Sequence, residues 1–376
     1  MTESLPNHAL TEKSNILITG CTGMIGGELL KKLLINEKHE GTIWTLVRAK
    51  SKTHARQRIK DRLLRSAVSP DEMENLPYKV VAGDVSKPDW GISKNELKSW
   101  FPHLDIIIHC ASDTSFLHSE NVLECNVNST INLIKMVEDS GHKPLVVYIS
   151  TAANIGKVTN TVVTEDMNRS SDGEHHNLYT RSKAVCESML TEAGIPSLIF
   201  RPSIVLSAGV EDSLFAGSIL WMIPLMYHFN ALPLDKNSKL DIVPVGFVVD
   251  CIVDLLRKEK LNYSTYHIST GVADSITVEE SFNLTDKFYK RSPINFIHPD
   301  KWTDSLHRKY VDTKRKRELY HRIKYYFPFL NMDVVYDNSR LKNELGELKI
   351  QPLKKYINGL LSQITEAHAL KESVKP

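Results

Sequence analysis

The sequence predicts an α/β fold: a doubly wound parallel sheet followed by a smaller, mainly helical C-terminal substrate subdomain. Three observations carry this. Short β-branched runs alternate with longer helical patterns from Asn15 to about Arg201, the rhythm of βαβ units. A glycine-rich turn separates the first strand pattern from the first helix pattern. After Arg201 the alternation breaks, and Pro202, Pro224, Pro233 and Pro244 punctuate apolar and charged stretches without a clear strand rhythm.

Taken in order, Met1–Lys13 mixes Glu3, Pro6, Asn7, His8, Glu12 and Lys13 with no apolar block, so it reads as a flexible terminus and not a secretory signal. Strands are predicted at Asn15–Thr19, Thr42–Val47, Tyr78–Ala82, Ile106–His109, Leu145–Ser150 and Ser197–Arg201. Their near-continuous apolar character suits strands covered on both faces. Helices are predicted at Ile25–Asn36, Thr53–Arg65, Val122–Ser140 and Leu178–Ala193. The expected organisation is therefore residues 1–13 flexible, 14–201 a dinucleotide-binding domain, and 202–376 a substrate subdomain. Within the last, Asp241–Val243 and Tyr266–Ile268 read as short strands that return to the main sheet.

Composition narrows the function classes. With 41% hydrophobic and 24% charged residues, the 376-residue chain can bury a full core. Lys plus Arg number 47 against 45 for Asp plus Glu, a balance that gives no ground for nucleic-acid binding. Cys21, Cys110, Cys125, Cys186 and Cys251 are scattered and form no C-x-x-C pair, so neither a disulfide framework nor a zinc site is indicated and a reducing cytoplasm is expected. The uncharged run Ser213–Leu234 is interrupted by Gly217, Pro224, His228, Asn230 and Pro233, so no transmembrane span is expected.

Thr19-Gly20-Cys21-Thr22-Gly23-Met24-Ile25-Gly26 follows the first strand and opens the first helix. In that setting Gly20 makes the tight turn, Gly23 lets backbone approach a pyrophosphate, and Gly26 lets helix pack on strand, with the helix N-terminus facing the anion. Thr22, Met24 and Ile25 belong to the same cofactor loop, the signature of a Rossmann-type site. At the tip of the second strand, where an NAD site would place a carboxylate, Leu46-Val47-Arg48 presents a guanidinium that can pair with a 2′-phosphate. NADPH is therefore the expected cofactor. Asp84, after the third strand, either accepts a hydrogen bond from the adenine amino group or caps its own loop.

Tyr179-Thr180-Arg181-Ser182-Lys183 puts a phenol and an ammonium four residues apart, on one face of a helix. A cation held near a phenol favours the phenolate and makes it a better proton carrier, and Lys183 can also hold the nicotinamide ribose. The fifth strand ends in Tyr148-Ile149-Ser150-Thr151, hydroxyls at the carboxyl end of a parallel strand, where ligands of such sheets bind. Thr151 is the expected oxyanion partner, with Ser150 as the alternate. Asn126 either joins a proton relay from the lysine or ties one strand to the next.

The glycine loop, Thr151, Tyr179 and Lys183 resemble the extended short-chain dehydrogenase/reductase family over roughly Asn15 to Gly271. Within it, several segments look most like the thioester-reductase and fatty acyl-CoA reductase branch of male-sterility-type NAD(P)-binding proteins. They are Leu46–Ala49 with Ala55–Arg58, Gly83–Val85 with Trp90–Ser93, Ile108–Ala111 through Phe116, Phe200–Pro202 and Ile242–Val245. Ser112 and Asp113 depart from the small or apolar residues common there. The resemblance implies cofactor contacts at Val85, Ala111 and Pro202, hydride delivery from NADPH to the carbonyl of an acyl thioester, and an acyl-CoA or acyl carrier protein as donor. The hemithioacetal then collapses to aldehyde and thiol, with a second reduction to alcohol left open; a homodimer is compatible. The alternatives are an extended reductase or epimerase acting on a sugar nucleotide or ketone, and a non-catalytic NADP(H)-binding sensor.

Two further features bear on substrate. Leu214–Ile223 with Leu225, Met226, Tyr227 and Phe229 either lines an acyl tunnel or forms core or a dimer interface. The basic run Arg308, Lys309, Lys314, Arg315, Lys316, Arg317, Arg322 and Lys324 either draws a coenzyme A phosphate or acidic carrier, or is a solvated face.

Overall fold

The computed structural model describes residues 10–73, 76–116, 120–167, 169, 172–207, 219–364 and 369–370. Seven parallel strands form the central sheet: β1 Ile16–Thr19, β2 Ile43–Val47, β3 Tyr78–Ala82, β4 Ile106–His109, β5 Leu145–Ile149, β6 Ser197–Pro202 and β7 Thr265–Ile268. Their spatial order is β7-β6-β5-β4-β1-β2-β3, so the winding direction reverses between β1 and β4. A crevice forms at such a reversal, outside the carboxyl ends of the strands.

Why these runs become doubly covered strands is visible in their alternation. Ile16 and Ile18 of β1 enter one apolar core, while Leu17 between them enters the other. Likewise Leu145, Val147 and Ile149 of β5 face the first core, and Val146 and Tyr148 the second. Successive side chains of a strand point to opposite faces, so a continuous apolar run demands cover on both. Helices α1 Met24–Lys31, α2 Lys52–Arg65 and α5 Val245–Leu256 supply the first layer, and α3 Glu120–Ser140 and α4 Leu178–Glu192 the second. The α3 and α4 helices lie against each other.

Residues beyond 201 return in part to the main α/β unit. β7 pairs in parallel with β6, and α5 packs on α1, so both belong to the main α/β unit. Ile242–Pro244 pairs instead with Ile204–Leu206, outside the main sheet, unlike the expected return of Asp241–Val243. A further core around Leu225, Phe229, Leu234, Phe282 and Ile323 builds the C-terminal lobe, including α6 Lys314–Ile323. At the other end, Met1–Ala9 lie outside the described residues, but Leu10 is buried and its N–H donates to the carbonyl of Leu256 at 2.6 Å. Leu10, within the expected flexible segment, is thus anchored on α5.

Candidate active site

The glycine loop lies directly on the end of β4. Gly20 has φ +72°, and a Cβ there would come within 2.7 Å of the Ala111 nitrogen. A Cβ on Gly26 would sit 2.5 Å from the Gly20 carbonyl, so only glycine lets α1 approach the turn this closely. Gly23 caps α1 without a side-chain acceptor, leaving the first-turn N–H groups to find another partner. An anion meets that need.

Arg48 is exposed at the tip of β2. Arg58, from α2, donates to the Arg48 carbonyl and, at 3.3 Å, to Thr22 Oγ1. Burial, then the charges of Arg48 and Arg65, pulls the Arg58 guanidinium below its ordinary value. Two guanidiniums crowded at this corner favour an anion between them. Asp84 turns to its own loop, its Oδ1 accepting from the Ser86 N–H at 3.1 Å and hydroxyl at 2.7 Å. The Val85 carbonyl accepts from Asn132 at 3.1 Å, and the Ala111 N–H donates to Thr19 Oγ1 at 3.1 Å.

A cavity of about 430 Å³ opens at the carboxyl ends of the strands. Its walls bring together Gly20, Gly23, Met24, Ile25, Gly26, Ser150, Thr151, Tyr179 and Pro202; Thr22, Arg48, Asp84, Val85, Ala111 and Lys183 lie off them. Asn177 caps α4 by accepting from the Thr180 N–H at 2.8 Å, which sets where Tyr179 enters. Tyr179 and Thr151 stand together on this wall; burial pushes the phenol's pKa up to about 12, and the Thr151 hydroxyl draws it the other way. Ser150, also on the wall, accepts from Asn154 Nδ2 at 3.4 Å. Lys183 is buried beneath the phenol, its ammonium 6.0 Å from the Tyr179 ring centre and donating to the Ile149 carbonyl at 2.7 Å. Desolvation lowers its pKa to about 8. Asn126 clamps the Asp113 backbone at 2.8 and 2.9 Å and donates to Ser182 at 2.8 Å, a tie between β4's loop and α4.

The opposite wall is aromatic. Phe116 stacks 6.0 Å from Tyr179 and 4.9 Å from Tyr326, and Trp221 meets Tyr326 edge-on at 5.5 Å. Arg322 joins this wall. Of the proposed acyl-tunnel stretch, residues 214–218 lie outside the described residues, Ile219 and Trp221 line the cavity, and Leu225, Met226 and Phe229 are core. The basic run divides likewise: Arg322 reaches the cavity, whereas Arg308, Lys309, Lys314, Arg315 and Arg317 are exposed.

Behind β5 and β6 lies a buried polar network. Arg201 donates through Nε to both oxygens of Glu187 at 3.1 Å and through Nη1 to the Glu165 carbonyl at 3.0 Å. Asn154 donates to Glu187 at 2.7 Å and accepts from Arg169 at 2.6 Å, and Arg169 Nη2 lies 2.8 Å from His267 Nε2. Burial, with the Arg169 and Arg201 charges, keeps His267 far below its ordinary pKa, so this ring is neutral and can accept from Arg169.

The NAD-binding family described as male sterility protein matches residues 18–252, well over half of the chain. The chain belongs to that family. Among curated relatives, fatty acyl-CoA reductase 1 of Xenopus laevis is 24% identical over 321 residues, covering 74% of this chain and 62% of that protein. Carboxylic acid reductase of Mycobacterium marinum is 27% identical over 313 residues, covering 72% of this chain and 26% of that protein. In both cases the chain spans less than two thirds of the relative's length. The terminal R domain from the myxalamid PKS-NRPS biosynthetic pathway superposes with a TM-score of 0.77 at 22% identity, over 96% of this chain and 91% of that one, a likeness of fold.

The male sterility match takes in the glycine loop, Thr151, Tyr179 and Lys183 and stops within α5, so the wall carrying Arg322 and Tyr326 lies beyond it. Sequence reading missed Arg322, Tyr326, Phe329 and Trp221 as one wall, because nothing local says which residues of a distant lobe reach the sheet. It also missed Arg62, for which a signal existed: Ala55, Ile59, Arg62 and Leu63 share the buried stripe of α2.

Proposed function

We propose that this chain is an NADPH-dependent reductase of acyl thioesters. The observation that carries the reading is the placing of Tyr179 beside Thr151 on the wall of a cavity that joins the glycine loop on one side to an apolar aromatic wall on the other. Glycines without room for a Cβ and the uncapped start of α1 fit a pyrophosphate, and Arg48 with Arg58 fits a 2′-phosphate. A nicotinamide dinucleotide held there supplies hydride to the substrate carbonyl.

Tyr179 and Thr151 then donate hydrogen bonds to the thioester oxygen, opposing the negative charge that grows as the carbon becomes tetrahedral. Tyr179 passes its proton to that oxygen, giving a hemithioacetal. As the C–S bond breaks, the hydroxyl proton returns to Tyr179, the carbonyl re-forms as an aldehyde, and the departing thiolate takes one proton. One hydride and one proton are consumed in total. Lys183, directly beneath, holds positive charge against the transient phenolate. The donor is the thioester of coenzyme A or of an acyl carrier protein; both carry phosphate, which suits Arg322 on the cavity wall and the exposed basic residues of its lobe. No described helix is long and apolar enough to cross a membrane.

The deciding experiment follows NADPH absorbance with acyl-CoA thioesters, ketones and sugar nucleotides, with products identified by mass. Consumption with a thioester and formation of aldehyde or alcohol is expected; turnover of ketones or sugar nucleotides alone overturns the thioester assignment. Arg48→Ala is expected to raise KM for NADPH roughly tenfold to hundredfold and leave KM for NADH unchanged, since one charge-assisted contact is lost. Equal effects on both cofactors would refute a 2′-phosphate role.

Lys183 has its pKa lowered to about 8, so the ammonium is present below that pH and lost as pH rises through it. Because kcat/KM reports groups of the free enzyme, it is expected to fall above about pH 8. In Lys183→Arg, which stays charged, that limb should move to higher pH; an unmoved limb would assign it elsewhere.

A further inference from the structure

Arg62 sits on α2 with no solvent exposure, and its guanidinium is spent on the glycine loop. Nε donates to the Gly23 carbonyl at 3.1 Å, and Nη2 to the Met24 carbonyl at 3.3 Å and to Glu28 at 3.0 Å. Nη1 bonds Ser66 Oγ, which in turn donates to Glu28 at 2.5 Å. Gly27 makes room for the whole arrangement, because a Cβ there would lie 2.1 Å from Arg62 Nε.

The two carbonyls decide what this cluster does. In a planar trans peptide, the C=O of one residue and the N–H of the next point in opposite directions. With the Gly23 and Met24 carbonyls turned to Arg62, the N–H groups of Met24 and Ile25 point away from it, and these are residues of the cavity wall. They are also first-turn donors of α1, where no side chain supplies a cap. Glu28 balances the guanidinium charge inside the fold, so what reaches the cavity is orientation more than net charge.

We infer that Arg62 is a positioning residue for cofactor binding: by holding two peptide planes from behind, it aims the α1 N-terminal N–H groups at the pyrophosphate. The inference rests on the cradle holding a dinucleotide. It differs from the role given to Arg48 and Arg58, which face the 2′-phosphate corner, and that difference makes it testable.

Dissociation constants of NADP⁺ and of adenosine 2′-monophosphate, which lacks the pyrophosphate, are measured by calorimetry for wild type, Arg62→Met, Arg62→Lys and Gly27→Ala. Arg62→Met is expected to weaken NADP⁺ at least about tenfold. Its affinity for adenosine 2′-monophosphate should stay within about twofold of wild type, and Arg62→Lys should recover part of the loss. Gly27→Ala keeps the charge but displaces the guanidinium, and it should reproduce the split if Arg62→Met does not fold. Parallel weakening of both ligands would mean general loosening of the domain, and unchanged NADP⁺ affinity would mean no role; either overturns the inference. If the wild type instead prefers NAD⁺, the NADPH reading falls, and the same comparison is made with NAD⁺ against adenosine.

Discussion

Replacing Tyr179 by phenylalanine is expected to lower kcat with an acyl-CoA thioester by about 10²–10⁴-fold, the usual contribution of a positioned proton donor. The ring keeps its stacking on Phe116, so the cavity wall and NADPH affinity should be retained. The lost group is the hydroxyl beside Thr151, the proton carrier of the proposed mechanism, and its loss leaves Thr151 as the remaining oxyanion donor proposed. Steady-state kinetics together with NADPH fluorescence titration separate these effects. A mutant within about tenfold of wild-type kcat would reject proton transfer by Tyr179. A mutant that cannot bind NADPH would instead show a structural failure. The pushed-up Tyr179 pKa of about 12 also matters: through the neutral range the phenol is protonated and ready to donate.

The second large effect is on stability. Arg201→Met is expected to cost about 3–5 kcal/mol, because it strands the Glu187 carboxylate where water does not reach it. Arg169 does not replace it, being engaged with Asn154 and the backbone carbonyls of Thr164, Glu165 and Met167. Urea unfolding followed by circular dichroism provides the measurement. Removing both partners, in Arg201→Met with Glu187→Leu, should restore much of the loss, since an apolar pair of similar volume leaves no buried charge. A single mutant as stable as wild type would show that water enters the network. Because Asn154 links Glu187 to Ser150, the single mutant should also perturb the end of β5, and with it Thr151.

Much of the fold was legible because its signals are local. The apolar runs of β1 to β6 needed cover on two faces, and the glycine spacing occurs at the turn where backbone must approach backbone. The edge strand β7 was legible only in part. Its Tyr266–Ile268 core reads as a strand, yet pairing with β6 depends on what the chain does between the two. Asp241–Val243 carried the same kind of signal, but the strand that formed, Ile242–Pro244, paired with Ile204–Leu206 outside the main sheet.

The sequence by itself determined the chemistry at hand: a glycine loop opening a helix, a phenol and ammonium on one helical face, and hydroxyls at a strand end. These follow from spacing within a single element, which local geometry sets. Tertiary structure gave the two hydroxyls different neighbours: Thr151 stands near the Tyr179 phenol, whereas Ser150 accepts from Asn154. It also assigned Asn126 to a backbone clamp, brought Arg322 to the cavity and put Arg62 behind the glycine loop, across 39 residues of sequence from Gly23. The physical reason is common to all three. A polar side chain has the same pattern in sequence whether it faces water or a buried partner, and only packing supplies the partner that makes its burial favourable.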